Sequence, residues 1–191
     1  TIKIQKQLDV TQDKTTEKLN ITRERAVDSR LMRQTSLVCL EALKFCVSVI
    51  SEEWDTIMSV ESKLRKRLID TLVHRTKTAA PKYPEFDLRF PKMPGYTRRA
   101  IIADAFGMVK SYRSNHKNWE ETPPMERGAE PKLGLPSRYE LTFYDQERKM
   151  SCLADGQIGL KLYNGQTWNW YYFQISPSDA KQISRLSKTS V

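Results

Sequence analysis

The side chains able to do covalent or metal chemistry are few in this sequence and poorly spaced for it. Its cysteines, Cys39, Cys46 and Cys152, form no CxxC pair and its only histidines are His74 and His116, so no zinc ligand set can be assembled from the spacing. Cys39 and Cys46 stand seven apart in a helical pattern and share a face, where free thiols pack as small apolar groups in a reducing compartment. No HExxH, GxSxG or phosphate-binding loop occurs. Asp145 and Glu147 fall near a strand end, but a two-metal site needs carboxylates converging from several strands, and no such set can be assigned. Gly156 and Gly159 have the spacing of a backbone clamp found in some RNA-binding domains. That clamp joins two helices, whereas this pair lies at the mouth of a hairpin and reads as a turn.

Fixed positive charge is abundant. The chain has 191 residues, with 32 Lys and Arg against 23 Asp and Glu, for a formal net charge of +9. Counterion release drives such a surface onto a phosphate backbone. One segment organises the charge: Arg99, Ala103, Phe106, Lys110, Arg113 and Lys117 recur at helical spacing and fall along one face. The adjoining Arg98 and Arg99 at its start can offer guanidinium groups and backbone amides to phosphate. A merely solvated helix face is the alternative. In "SKLRKRL" the charges of Lys63, Arg65, Lys66 and Arg67 point several ways, which makes Lys63 and Lys66 weaker phosphate candidates.

Stepping along the chain, "TIKIQKQLDV" alternates Ile2, Ile4, Leu8 and Val10 as a half-buried strand does. From about Thr22, after a charged turn, Leu37, Leu40, Leu43, Val47, Ile50 and Trp54 predict a long amphipathic helix. A second helix follows in "SVESKLRKRLIDTLVHRT", with Ser59 as N-cap. Residues 78–95 hold four prolines and read as an extended connection. The basic face belongs to a third helix, from about Thr97 to Trp119. Period two returns in "RYELTFYD" and "QIGLKLY", and Asn164-Gly165 marks a hairpin into "TWNWYYFQI". A last short helix is capped by Ser176 or Ser178.

A lone first strand needs partners, and the later strands supply them. The expected fold is therefore α+β: a small antiparallel β-barrel, OB-like, from 1–12 and 132–191, interrupted after its first strand by a helical insertion at 13–131. In the aromatic hairpin Trp168, Trp170 and Tyr172 are expected to face inward against Ile158, Leu160 and Leu162. Tyr171 is then the ring left for nucleic acid. No apolar run approaches the ~18 residues of a membrane span and no signal segment opens the chain, so a cytosolic site and no membrane partner are expected. The opening Thr and featureless end read as a piece of something longer.

The order of these parts, with "FDLRFPKMPGYTRRAIIADAFGMVKSYRSN", the following "NWE", "YELTFYD" and "IGLKLYNGQTWNWYYFQI", resembles the N-terminal half of the TnpB (transposase OrfB) RNA-guided nucleases, transposon-encoded relatives of type V CRISPR effectors. The resemblance covers nearly the whole chain. It implies a wedge domain in the barrel and a recognition lobe in the helices, together binding guide RNA and guide–target duplex and reading a short motif beside the target DNA. Carried over, it sets Tyr96, Thr97, Arg98 and Arg99 nearest that motif and Lys110, Ser111 and Arg113 along a nucleic-acid backbone. It also implies a prokaryotic, nucleoid-associated protein and a RuvC-type nuclease domain or chain, holding Mg2+ on Asp, Glu and Asp, that is missing here. This piece alone would bind without cutting. A nuclease-free transcriptional repressor and an OB-like RNA-binding subunit are the competing readings.

Overall fold

A computed structural model describes residues 4–11, 20–26, 29–77, 79–143, 148–149 and 156–188. Ile2, Asp145, Glu147 and Cys152 lie outside the described residues. The fold is α+β. The chain divides into two compact units, one of 36–142 and the other of the residues on either side, so the division falls within the first helix.

The flanking unit is built on an antiparallel sheet of order β2-β1-β5-β4-β3, made of β1 (Ile4–Thr11), β2 (Asn20–Ala26), β3 (Arg148–Lys149), β4 (Gln157–Tyr163) and β5 (Trp168–Ile175). β1 pairs with β5, as a lone first strand requires. It also pairs with β2, where the sequence reads as a charged turn, so the helices follow a second strand and not the first. "RYELTFYD" forms no strand over its described residues, 138–143. One sheet face carries a core of Ile158, Leu160, Leu162, Phe173 and Ile175. It is covered by Leu31 and Met32 from the start of α1 (Ser29–Glu52) and by Ala180 and Ile183 from α6 (Pro177–Lys188). Pro177 fits the first helical position of α6, and Ser176 caps it: its Oγ accepts the Asp179 amide at 3.1 Å. At the end of β4, Thr35 Oγ1 accepts the Tyr163 amide at 2.9 Å while donating to the Leu31 carbonyl.

Register decides which aromatics face the core, and it reverses the expectation. Ile158 lies opposite Phe173 and Leu160 opposite Tyr171, whereas Trp168 and Trp170 lie opposite Tyr163 and Lys161. Paired residues share a sheet face. The core ring is therefore Phe173, fully buried, with Tyr171 packed beside it, and the Trp168–Trp170–Tyr172 set belongs to the other face.

The second unit is helical. α1 continues into it, breaks at Glu53, and is followed by α2 (Trp54–Met58), α3 (Ser62–Val73), α4 (Glu85–Arg89) and α5 (Gly95–Glu121). Ser59 ends α2 and does not start α3, whose N-cap is Glu61. The proline-rich connection contains α4 because Pro84 stands at its N-cap, where a missing amide costs no helical bond. Cys39, Leu43, Cys46, Ile50, Ile57, Ile69, Val73, Phe86, Ile101, Ala105 and Val109 are the buried centre. The 24 residues of α1 include an 18-residue window of mean hydropathy 1.3, long and apolar enough to cross a bilayer by length and composition. Half of that window is buried within the protein, as in a core helix.

Candidate nucleic-acid interface

α5 positions most of the predicted contacts. Its amphipathic pattern buries Ala100, Ile101, Ile102, Ala105 and Val109, and this fixes which residues are turned outward. Arg99, Lys110, Ser111, Arg113 and Lys117 are all exposed. Arg99 lies over the Tyr96 ring, 5.4 Å from its centroid. Arg113 sits 5.6 Å from the Trp54 centroid and donates to the Ser51 carbonyl at 3.3 Å. Trp54 stacks in turn on Phe106, at 6.0 Å and 25°. Lys117 pairs loosely with Glu121 at 3.6 Å. Cations thus alternate with a half-buried aromatic stack along one stripe, a mixture that suits phosphate and base together.

Arg98 behaves differently from its neighbour. Its side chain is 8% exposed and its Nε donates to Asp70 Oδ1 at 2.6 Å, with Nη2 at 3.5 Å from Oδ2. The guanidinium that was expected beside Arg99 at phosphate is committed instead to tying α5 to α3. Thr97 is half-buried at the same helix start. Cys46 lies within reach of this pair: burial pushes its thiol up to about 12, Asp70 adding to the rise and Arg98 opposing it.

α3 carries the second basic patch. Lys66 and Lys63 are exposed, Lys63 paired with Glu61 at 2.9 Å. Arg65 turns back to donate to the carbonyls of Val60 and Met58 at 3.1 and 3.3 Å, satisfying the end of α2. Tyr171, expected to be the outward ring, is half-buried and packs against the sheet core.

Residues 15–164 match one family model. The chain belongs to the Aq_aa04 family. The match takes in β2, α1 to α5, β3 and β4 and stops at the hairpin turn. No curated protein and no solved structure matches this Aq_aa04 chain.

Three further clusters join residues on different elements or loops, which no local spacing marks. Glu53, buried where α1 breaks, accepts hydrogen bonds from Lys82 and from the Tyr83 hydroxyl. Lys82 first and Tyr83 second hold the Glu53 carboxyl below its ordinary value. Burial, followed by Glu53, pushes the Tyr83 hydroxyl up. His74 Nδ1 meets Asp87 Oδ1 at 2.7 Å, and the other oxygen of Asp87 accepts the Arg75 amide at 2.9 Å. At the far end of α5, Trp119 Nε1 donates to the Gly128 carbonyl at 2.8 Å, Arg127 covers the Trp119 ring at 4.6 Å, and His116 Nε2 reaches Glu130 at 3.2 Å. These contacts fold the following segment back along α5 and leave an open groove of about 580 Å3 between the helix and residues 132–134. Among the described residues no three His, Cys, Asp or Glu side chains are grouped to hold a metal.

Proposed function

We propose that this Aq_aa04 chain is a nucleic-acid-binding module, and specifically the binding half of an RNA-guided DNA endonuclease of the TnpB kind. The observation that carries the binding claim is the α5 stripe. Arg99, Lys110, Arg113 and Lys117 are exposed on one helix face, none of the face positions between them is acidic, and the Trp54–Phe106 stack lies alongside. At ~1.5 Å per residue the stripe is about 27 Å long, the axial length of roughly eight base pairs. The finer claim rests on the order of parts and on the motifs around Tyr96 to Arg113. In that reading the sheet belongs to a wedge-type, OB-like barrel and the helices form a recognition lobe acting in the cytoplasm at the nucleoid. Mg2+ then serves the carboxylates of a separate nuclease domain or chain.

Neutralising about four phosphates gives a log–log salt slope of roughly −3 to −4. Fluorescence anisotropy with labelled RNA and DNA tests this, because replacing Arg99, Lys110 and Lys117 together by Ala should flatten the slope by about 2 to 3. A salt-independent affinity, or an unchanged slope in the triple variant, would refute the α5 interface. Sequencing the copurifying nucleic acid tests the guide: one structured RNA is expected, and a random population refutes it.

A further inference from the structure

The groove beside α5 is not explained by packing. It is lined by Asp104, Gly107, Ser111, Tyr112, Asn115 and Lys132, among others, and its volume of about 580 Å3 is in the range of ligand sites. Gly107 stands in the middle of a 27-residue helix, where glycine is the worst choice after proline. No neighbour requires it: a Cβ built there meets nothing within 4 Å, and its backbone is not among the glycines of positive φ. What Gly107 does is leave the groove floor open. The lining combines three chemistries. Tyr112 offers a half-buried ring and Lys132 an exposed cation. Asp104 is an exposed carboxylate whose Oδ2 accepts the Tyr139 hydroxyl at 2.9 Å. A carboxylate repels phosphate and accepts from base N–H groups and from ribose hydroxyls. A groove with a cation at one wall and an acceptor on the other suits a strand whose phosphate and sugar edges differ.

We infer that this groove holds a short stretch of single-stranded RNA, with a base stacked on Tyr112, a base edge or 2′-hydroxyl donating to Asp104, and phosphate at Lys132. The inference rests on the nucleic-acid reading above and adds a strand type and a second surface to it. Asp104 and Asn115 stand 11 residues apart on one helix, about 16 Å at ~1.5 Å per residue, so the groove admits a few nucleotides and not a single free one.

The test uses the whole chain with an unstructured labelled RNA, the same sequence as single-stranded DNA, and a blunt duplex. Wild type should prefer the RNA. Gly107→Leu fills the groove without adding or removing charge. It should weaken single-stranded RNA binding roughly tenfold, the loss of one stacked base, while duplex affinity and salt slope stay and the melting temperature holds or rises. Asp104→Asn keeps an acceptor for Tyr139 and should lower the preference for RNA over DNA. Unchanged RNA affinity in a folded Gly107→Leu overturns the inference. Should Gly107→Leu melt early, an unchanged RNA preference in Asp104→Asn overturns it equally. Failure of the wild type to bind any of the three probes instead refutes the nucleic-acid reading itself.

Discussion

Two adjacent arginines provide the sharpest separation between scaffold and contact. Arg98 and Arg99 are indistinguishable by type and position at the start of α5, yet one is buried against Asp70 and the other is exposed over Tyr96. Removing one partner of a buried ion pair costs about 3–5 kcal/mol, chiefly because the other charge stays behind without compensation. Asp70 is 20% exposed, and water reaching it places Arg98→Ala near the lower end, about 3 kcal/mol. For a chain of this length each kcal/mol moves Tm by about 2–4 °C, so a fall of ~6–12 °C is expected. Arg99→Ala should leave Tm within the error of a surface substitution, about 0.5 kcal/mol, and should lower nucleic-acid affinity and salt slope. Calorimetry and anisotropy on both variants decide the matter, and the Asp70→Asn/Arg98→Ala double variant should recover part of the lost stability. If Arg98→Ala instead melts with wild type and loses binding as Arg99→Ala does, Arg98 is a phosphate contact and the scaffold role is refuted.

Other outcomes follow from local geometry. Cys46, buried and with its thiol pushed up to about 12, should resist a thiol reagent in native protein and react only on denaturation; peptide mapping that finds it labelled in the native state contradicts this burial. The depressed pKa of Glu53 works in one direction: its stabilisation is complete above the ordinary value of 4.5 and is lost as pH falls through the lower folded value. Melting across that acid range should show Glu53→Gln with a flatter acid limb than wild type, and parallel limbs would remove Glu53 from the account. Gly165, at φ +98 in the hairpin loop, should lose about 1–2 kcal/mol on substitution by Ala, and a neutral result by denaturant titration would mean that the loop adopts another conformation.

The long helices were legible because their apolar spacing is dense and regular: Leu40, Leu43, Cys46, Val47 and Ile50 would mark α1 in any context. β2 was not legible, since "NITRERA" offers Ile21 among charged residues and reads as solvent-exposed. "RYELTFYD" misled in the opposite sense. Tyr139 is buried and its hydroxyl donates to Asp104, so the position that looked like one face of a strand is satisfied by α5 without a ladder. At the candidate site the cation stripe could be read from sequence, whereas the partner of Arg98 could not. Asp70 is 28 residues away, and nothing local separates a guanidinium that meets carboxylate from one left for phosphate.

The aromatic arm carries in its own sequence the information that sets its inward face. Period two divides Trp168 to Ile175 into two faces without saying which is inward. The hairpin supplies the missing phase. Tyr163 pairs with Trp168 across a four-residue loop, in which Asn164 Oδ1 accepts the amides of Gln166 and Thr167 at 3.0 and 2.9 Å. Any loop with an even number of residues pairs even-numbered positions of one strand with odd-numbered positions of the other. Ile158, Leu160 and Leu162 can then share a face only with Asn169, Tyr171, Phe173 and Ile175, whatever the size of the indoles. An Asn-Gly turn, which favours an even loop, therefore already contained the assignment of Phe173 to the core and of the two tryptophans to the opposite face. Side-chain bulk suggested the reverse, and strand register overrides bulk because a one-residue slip would move every apolar side chain of β4 off the core at once.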